Sequence, residues 1–217
     1  MAQMIDLTSG INLTSKQIEQ TVTSIAPHFI DTKDKLVETA YGFPNMMNTL
    51  WGYICTFRLF PTQDQFMEFY LECHRQSLLS LSEVAVKARV LRAYPSLVRE
   101  IHFYSLSQES NKFSSVNYST VKDVENGIDL MVDFGGRIYN ISCYVETRRS
   151  LMYRSKKRNY RHGIVRNSIE LPLDLSTGKN INQWVFFAPS HVDILQEKIF
   201  NYAWLHYKQH PLDALCS

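Results

Sequence analysis

Cysteine is scarce and scattered. The four, Cys55, Cys73, Cys143 and Cys216, never stand two to four residues apart, so no zinc-knuckle spacing exists. Such scatter suits free thiols in a reducing compartment. No basic-then-apolar stretch opens the chain, as a secretory signal would require. The longest apolar stretch, Met46 to Phe60, is interrupted by Asn48, Thr49 and Arg58 and is too short to span a bilayer. The sequence has no phosphate-cradling P-loop, no dinucleotide-binding glycine fingerprint and no Gly-x-Ser-x-Gly elbow. No two of His102, His162 and His191 have the i, i+4 spacing of a helical zinc site. No internal repeat or low-complexity segment stands out. These absences leave a soluble cytoplasmic protein, without membrane contact, as the expectation.

What is present is a globular composition. Of 217 residues 45% are hydrophobic, enough to bury a core without staples. The N-terminal third has helical periodicity. Thr14 with Gln17 forms a capping-box pattern ahead of Ile18, Val22 and Ile25, and Thr62 with Gln65 repeats it ahead of Phe66, Phe69, Tyr70 and Cys73. Ser82 is placed to cap a third helix through Val86, Val90 and Leu91, which Pro95 is expected to stop. Met46, Met47 and Trp51 are expected in the core. From Gly127 to Phe134 the period changes to two, with Ile128, Leu130, Val132 and Phe134 on one side and Asp129, Met131 and Asp133 on the other. Gly135-Gly136 is a two-residue hairpin turn, and Arg137 to Glu146 is the return strand. Ser168 to Leu173 and Trp184 to Ala188 are strand-like, and His191 to Trp204 is an amphipathic helix. The expected division is a helical region over 1–80 and an α/β core with a C-terminal helix over 81–217.

Net charge is only +2, but its distribution is uneven. From Thr147 to Ile169 there is no acidic residue, while the window holds Arg148, Arg149, Arg154, Lys156, Lys157, Arg158, Arg161 and Arg166. So one-sided a run repels itself and favours an anionic partner. On a helix, Arg154, Lys157, Arg158 and Arg161 share one face, suited to tracking phosphates. Tyr153 and Tyr160 are interleaved and can stack on bases. His162 closes the segment and is placed to contact phosphate. The expected ligand is nucleic acid, DNA ahead of RNA. A nucleotide or an acidic protein surface is the weaker alternative, and a solvated helix face is the plain one.

The hairpin carries the second signal. Gly-Ile-Asp-Leu at 127–130 opens one strand, and Tyr-Val-Glu-Thr-Arg-Arg at 144–149 closes the next. Together with the basic segment and the strands beyond, this resembles the PD-(D/E)XK nuclease superfamily over residues 83 to 190. The resemblance implies an α/β (α+β) fold: a restriction-endonuclease-like mixed sheet flanked by helices, behind a helical N-terminal region. It implies Asp129 and Glu146 as carboxylates holding Mg²⁺, which activates water and stabilises charge on phosphate. It also implies Arg148 where the family has lysine, with Arg149, Arg154, Lys156, Lys157, Arg158, Arg161 and His162 on nucleic acid.

The turn opposes this placement. If Gly135-Gly136 closes the hairpin, Asp129 lies opposite Ser142, and Glu146 lies about 13 Å further along at about 3.3 Å per residue. A bulge would have to shorten that span. In strict register the family's acid-x-lysine falls on Ser142-Cys143-Tyr144, which supplies neither group. Arginine at 148 is a poor base. Two readings follow: a metal-dependent nuclease hydrolysing phosphodiester bonds, in restriction, repair or anti-phage defence, or a catalytically inactive nuclease-like subunit that binds nucleic acid or assembles with protein partners or copies of itself. Glu100 lies on the segment leading into the core, where the resemblance implies another acid, but it reads first as a surface residue or a partner of Arg99, and Glu125 reads similarly. His102 and His191 read as structural histidines with satisfied rings.

Overall fold

The computed structural model describes residues 13–146 and 167–209. Its elements, in chain order, are α1 (Ser15–Thr23), α2 (Lys35–Thr39), α3 (Met46–Phe57), α4 (Gln63–Leu78), α5 (Glu83–Glu109), β1 (Ser115–Asn117), α6 (Thr120–Asn126), β2 (Leu130–Phe134), β3 (Arg137–Val145), β4 (Ser168–Leu173), β5 (Lys179–Ile181), β6 (Trp184–Phe186) and α7 (Pro189–Gln209). The chain is a mixed α+β protein with helices at its N-terminal side. It forms two compact units. The first holds the described residues through Ser105 with Lys179–Phe186, and the second holds Leu106–Gly178 with the residues from Phe187 onward. The boundary expected near residue 80 falls inside the first unit, between α4 and α5.

The first unit is helical because its caps and stripes are local and strong. Both expected capping boxes form: Thr14 with Gln17 at α1 and Thr62 with Gln65 at α4. Ile18, Val22, Met47, Leu50, Trp51, Ile54, Phe66 and Tyr70 are buried. Their helices bring aromatic rings together, with Phe66 5.7 Å from Tyr94 and Trp51 edge-on to Tyr104 at 5.8 Å between centroids. The β5–β6 hairpin completes this core: Trp184 meets Tyr94 edge-on, and its indole N–H donates to the Ile25 carbonyl at 3.1 Å.

α5 corrects the expected stop at Pro95. The helix runs through the proline to Glu109. A proline in a helix interior leaves the carbonyl four residues earlier without its amide donor. Here that carbonyl belongs to Leu91, and the Gln63 side chain donates to it at 3.0 Å in a buried setting. The same Nε2 donates to the His28 carbonyl at 3.0 Å, and Oε1 accepts from the His28 amide at 3.1 Å. Gln63→Ala, which strips buried partners from Leu91 and His28, is expected to cost about 2 kcal/mol. Urea denaturation checks this; a midpoint shift worth under about 0.5 kcal/mol would mean that water satisfies these groups equally well.

In the second unit the sheet order is β1-β2-β3-β4. β1 with β2 and β2 with β3 are antiparallel, and β3 with β4 is parallel. Leu130, Val132, Tyr139, Ile141, Ile169, Leu171 and Leu173 are buried. Packing of α7 against β4 covers this side of the core, with Val192, Leu195 and Ile199 buried. The alternate residues Asp129, Met131 and Asp133 are only partly covered, which is the two-sided pattern read from the sequence. Neither β1 nor α6 was anticipated; each is too short to show a period. Among the described residues, no helix is long and apolar enough to cross a membrane.

Candidate functional site

The hairpin turn fixes the geometry. Gly135 and Gly136 both have positive φ, 60° and 75°, as a two-residue turn matching the strand twist requires. The ladder then pairs consecutively from Phe134↔Arg137 to Leu130↔Ile141. Asp129 stands one residue before β2, just outside the last pair of the ladder, Leu130↔Ile141. Its amide donates to the Ile141 carbonyl at 2.8 Å, and its Oδ2 accepts from the Cys143 amide. Ser142 Oγ donates to the Gly127 carbonyl at 2.5 Å. The strand start is therefore pinned by bonds from two consecutive residues of β3.

α6 delivers a second carboxylate. Ser119 caps it, and Gly127 ends it in the left-handed region at φ 66°, donating to the Asp123 carbonyl at 2.9 Å. This cap turns the chain back on itself, so Asp123 returns to the start of β2. Carboxylate oxygens of Asp123 and Asp129 lie within 4.8 Å of each other. The Tyr118 hydroxyl donates to Asp123 Oδ2 at 2.9 Å. Two oxygen-donor carboxylates at this separation could hold a metal ion.

The structure thus places Asp129 beside Asp123, which the sequence reading passed over. Glu146 is exposed, and its amide donates to the Leu173 carbonyl at 3.2 Å. It lies four residues past Ser142 on a strand paired consecutively with β4 through Val145, or about 13 Å along it. From Leu130 to Phe134 the β2–β3 ladder contains no bulge. The β3 residues just past the last β2 partner Ile141 are Ser142, Cys143 and Tyr144, with neither acid nor lysine. Arg148, Arg149, Arg154, Lys156, Lys157, Arg158, Arg161 and His162 lie outside the described residues, as does the helix expected over 150–161. Glu100 sits on α5 in the first unit, and Glu125 is an exposed residue of α6.

The two histidines weighed on the sequence are buried and bonded. His102 Nε2 meets Glu19 Oε1 at 3.0 Å, and His191 Nε2 meets the Asp174 carbonyl at 2.8 Å. Cys55, Cys73 and Cys143 are free thiols. Asp123 had one legible signal: a serine-capped polar turn ending in glycine just before the Asp129 strand. What hid it was the reversal at Gly127. Comparison with protein-family models, curated proteins and solved structures finds nothing that matches this chain.

Proposed function

We propose that the second unit is a metal-dependent nuclease with a restriction-endonuclease-like core. The observation that carries this reading is the Asp123–Asp129 pair, held at the mouth of a hairpin whose return strand leads into the acid-free basic segment. Asp123 and Asp129 would hold Mg²⁺, which supplies an acidified water and neutralises charge developing on phosphate. The chain's own contribution is orientation. The Cys143 amide and the Tyr118 hydroxyl fix one oxygen of each carboxylate. The cations between Arg148 and Arg166 hold the phosphate backbone. In the reaction, water adds to phosphorus, the P–O bond to the departing sugar breaks, and the leaving oxygen takes up a proton. DNA is the preferred substrate class, and the biological settings that fit are restriction, repair and defence against foreign DNA.

A second reading has its own observation. The Ser142-Cys143-Tyr144 stretch that follows the last β2 partner, Ile141, offers no lysine and no further acid, which favours a nuclease-like subunit that binds nucleic acid without cutting it. One experiment separates the two. Purified protein is incubated with labelled duplex and single-stranded DNA and RNA, in Mg²⁺ and in EDTA. Cleavage confined to Mg²⁺ supports the nuclease. Binding without cleavage in any divalent metal supports the second reading.

Binding is expected in either case, and it should weaken steeply with salt because each phosphate contact releases condensed counterions. Replacing Lys157 and Arg158 together by Ala should weaken binding alike for all sequences and reduce the salt slope by roughly one unit per lost contact. No binding at low salt by folded protein would leave the basic segment as a solvated or protein-docking surface.

A further inference from the structure

Three consecutive residues of β3 each hold a different part of the stretch that leads from α6 into β2. The Ile141 carbonyl accepts from the Asp129 amide at 2.8 Å, Ser142 Oγ donates to the Gly127 carbonyl at 2.5 Å, and the Cys143 amide donates to Asp129 Oδ2. The first and third use the main chain of β3, which any residue but proline supplies. Of the three, only the Ser142 bond comes from a β3 side chain. Ser142 is buried, at 8% exposure, and a covered hydroxyl committed to a carbonyl is not placed to act as a nucleophile. The residue it holds is the turning point of the site. Gly127 has φ 66° and ψ 37°, and its amide donates to the Asp123 carbonyl at 2.9 Å. Asp123 precedes it by four residues and Asp129 follows it by two, so the backbone at Gly127 sets one carboxylate against the other. Glycine is the residue least restrained in backbone rotation. A carbonyl tied to the neighbouring strand restrains it from outside, and the Ser142 hydroxyl supplies that tie.

We infer that Ser142 is a positioning residue for the carboxylate pair: by holding the Gly127 carbonyl it fixes the turn that sets Asp123 against Asp129, and so governs how tightly the pair takes up a divalent cation. β3 then serves the site by bracing its approach from α6 and contributes no ligand of its own from Ser142-Cys143-Tyr144. Removing a group that orients metal ligands without touching the metal usually costs about 10–100-fold in affinity. This role rests on the proposed reading of Asp123 and Asp129 as a metal-holding pair; it does not require cleavage.

The test compares Ser142→Ala, Ser142→Thr and Gly127→Ala with the parent, all as the full chain. Mn²⁺ affinity is read by electron paramagnetic resonance, stability by urea midpoint, and cleavage of labelled duplex DNA across a range of Mg²⁺ concentration. Ser142→Ala should bind Mn²⁺ about 10-fold more weakly, require correspondingly more Mg²⁺ for half-maximal cleavage, and approach the parental rate once Mg²⁺ saturates. Ser142→Thr keeps the hydroxyl on a residue suited to a strand and should restore the affinity. Gly127→Ala disturbs the same turn from its other side, because a Cβ disfavours this left-handed conformation, and should weaken Mn²⁺ binding with Ser142 intact. A lowered urea midpoint in Ser142→Ala with unchanged Mn²⁺ affinity would make the hydroxyl a purely structural bond and overturn the inference. Equal losses of affinity in Ser142→Ala and Ser142→Thr would assign the effect to strand packing and overturn it as well. A parent that takes up no Mn²⁺ removes the metal-holding pair and the inference together. If the parent binds Mn²⁺ and cleaves nothing in Mg²⁺, the nuclease reading falls and affinity alone decides the role of Ser142: a loss of about 10-fold in Ser142→Ala upholds it, and an unchanged affinity overturns it.

Discussion

Under the proposed nuclease reading, Asp129→Ala is expected to lower Mg²⁺-dependent cleavage by about 10³-fold or more and to leave nucleic-acid binding in place. The size follows from the loss of a carboxylate that would anchor the cation generating the nucleophile and stabilising the phosphate. Binding is spared because the cations of the basic segment are separate in sequence from the carboxylates. Alanine also orphans the Cys143 amide that Asp129 accepts from, so part of the effect would be local loosening worth about 1–3 kcal/mol. Asp129→Asn separates the two effects, since the amide oxygen still accepts from Cys143 while the negative charge is gone. The asparagine variant is expected to match the parent in urea midpoint and the alanine variant in lost activity. Asp123→Asn should fall with it, because under this reading the two carboxylates would act on one cation. Glu146→Gln should change cleavage far less, given its position about 13 Å along the strand from Ser142. Undiminished cleavage by the Asp129 variants would take Asp129 out of the mechanism. A Glu146→Gln loss as deep as theirs would return the second ligand to β3.

These contrasts reflect where local rules governed the chain and where they did not. The hairpin was legible because its turn chemistry and its period agree: two glycines at positive φ between alternating strands allow one register. Counted from the turn, that register weakened the pairing of Asp129 with Glu146 before any side chain was placed. The capping boxes at Thr14 and Thr62 were legible for the same reason, since three residues encode the whole device. Pro95 misled because the donor replacing its missing amide is Gln63, distant in sequence. Asp123 was missed because its partnership depends on the reversal at Gly127, which no periodicity announces. Burial of the β5–β6 hairpin among the N-terminal helices was equally hidden. The two are joined by contacts between residues some 160 positions apart.

Those distant contacts lead to the largest expected effect on stability, at Glu19. This residue of α1 has a side chain only 11% exposed. It accepts from His102 Nε2 on α5 at 3.0 Å, and Lys179 Nζ on β5 donates to both of its oxygens at 2.8 Å. Three elements of the first unit therefore meet at one carboxylate. The β5–β6 segment enters this unit from a distant part of the chain, and its other polar ties are Asn182 to the Thr23 carbonyl and Trp184 to the Ile25 carbonyl. Glu19→Ala leaves Lys179 without its counter-charge and removes the acceptor facing the His102 ring, which is 1% exposed. Breaking a buried pair on one side costs about 3 kcal/mol. Lys179→Met should cost less, about 1 kcal/mol, because the lysine is half-exposed and water screens its charge. Glu19→Gln should fall between them, keeping an acceptor for Lys179 while losing the charge. Urea unfolding gives the order, and hydrogen exchange at the β5 and β6 amides locates it. Faster exchange there in Glu19→Ala would show that the carboxylate holds the hairpin in the helical unit. Equal costs for Glu19→Ala and Lys179→Met would instead assign the stabilisation to the exposed ion pair and remove His102 from the account.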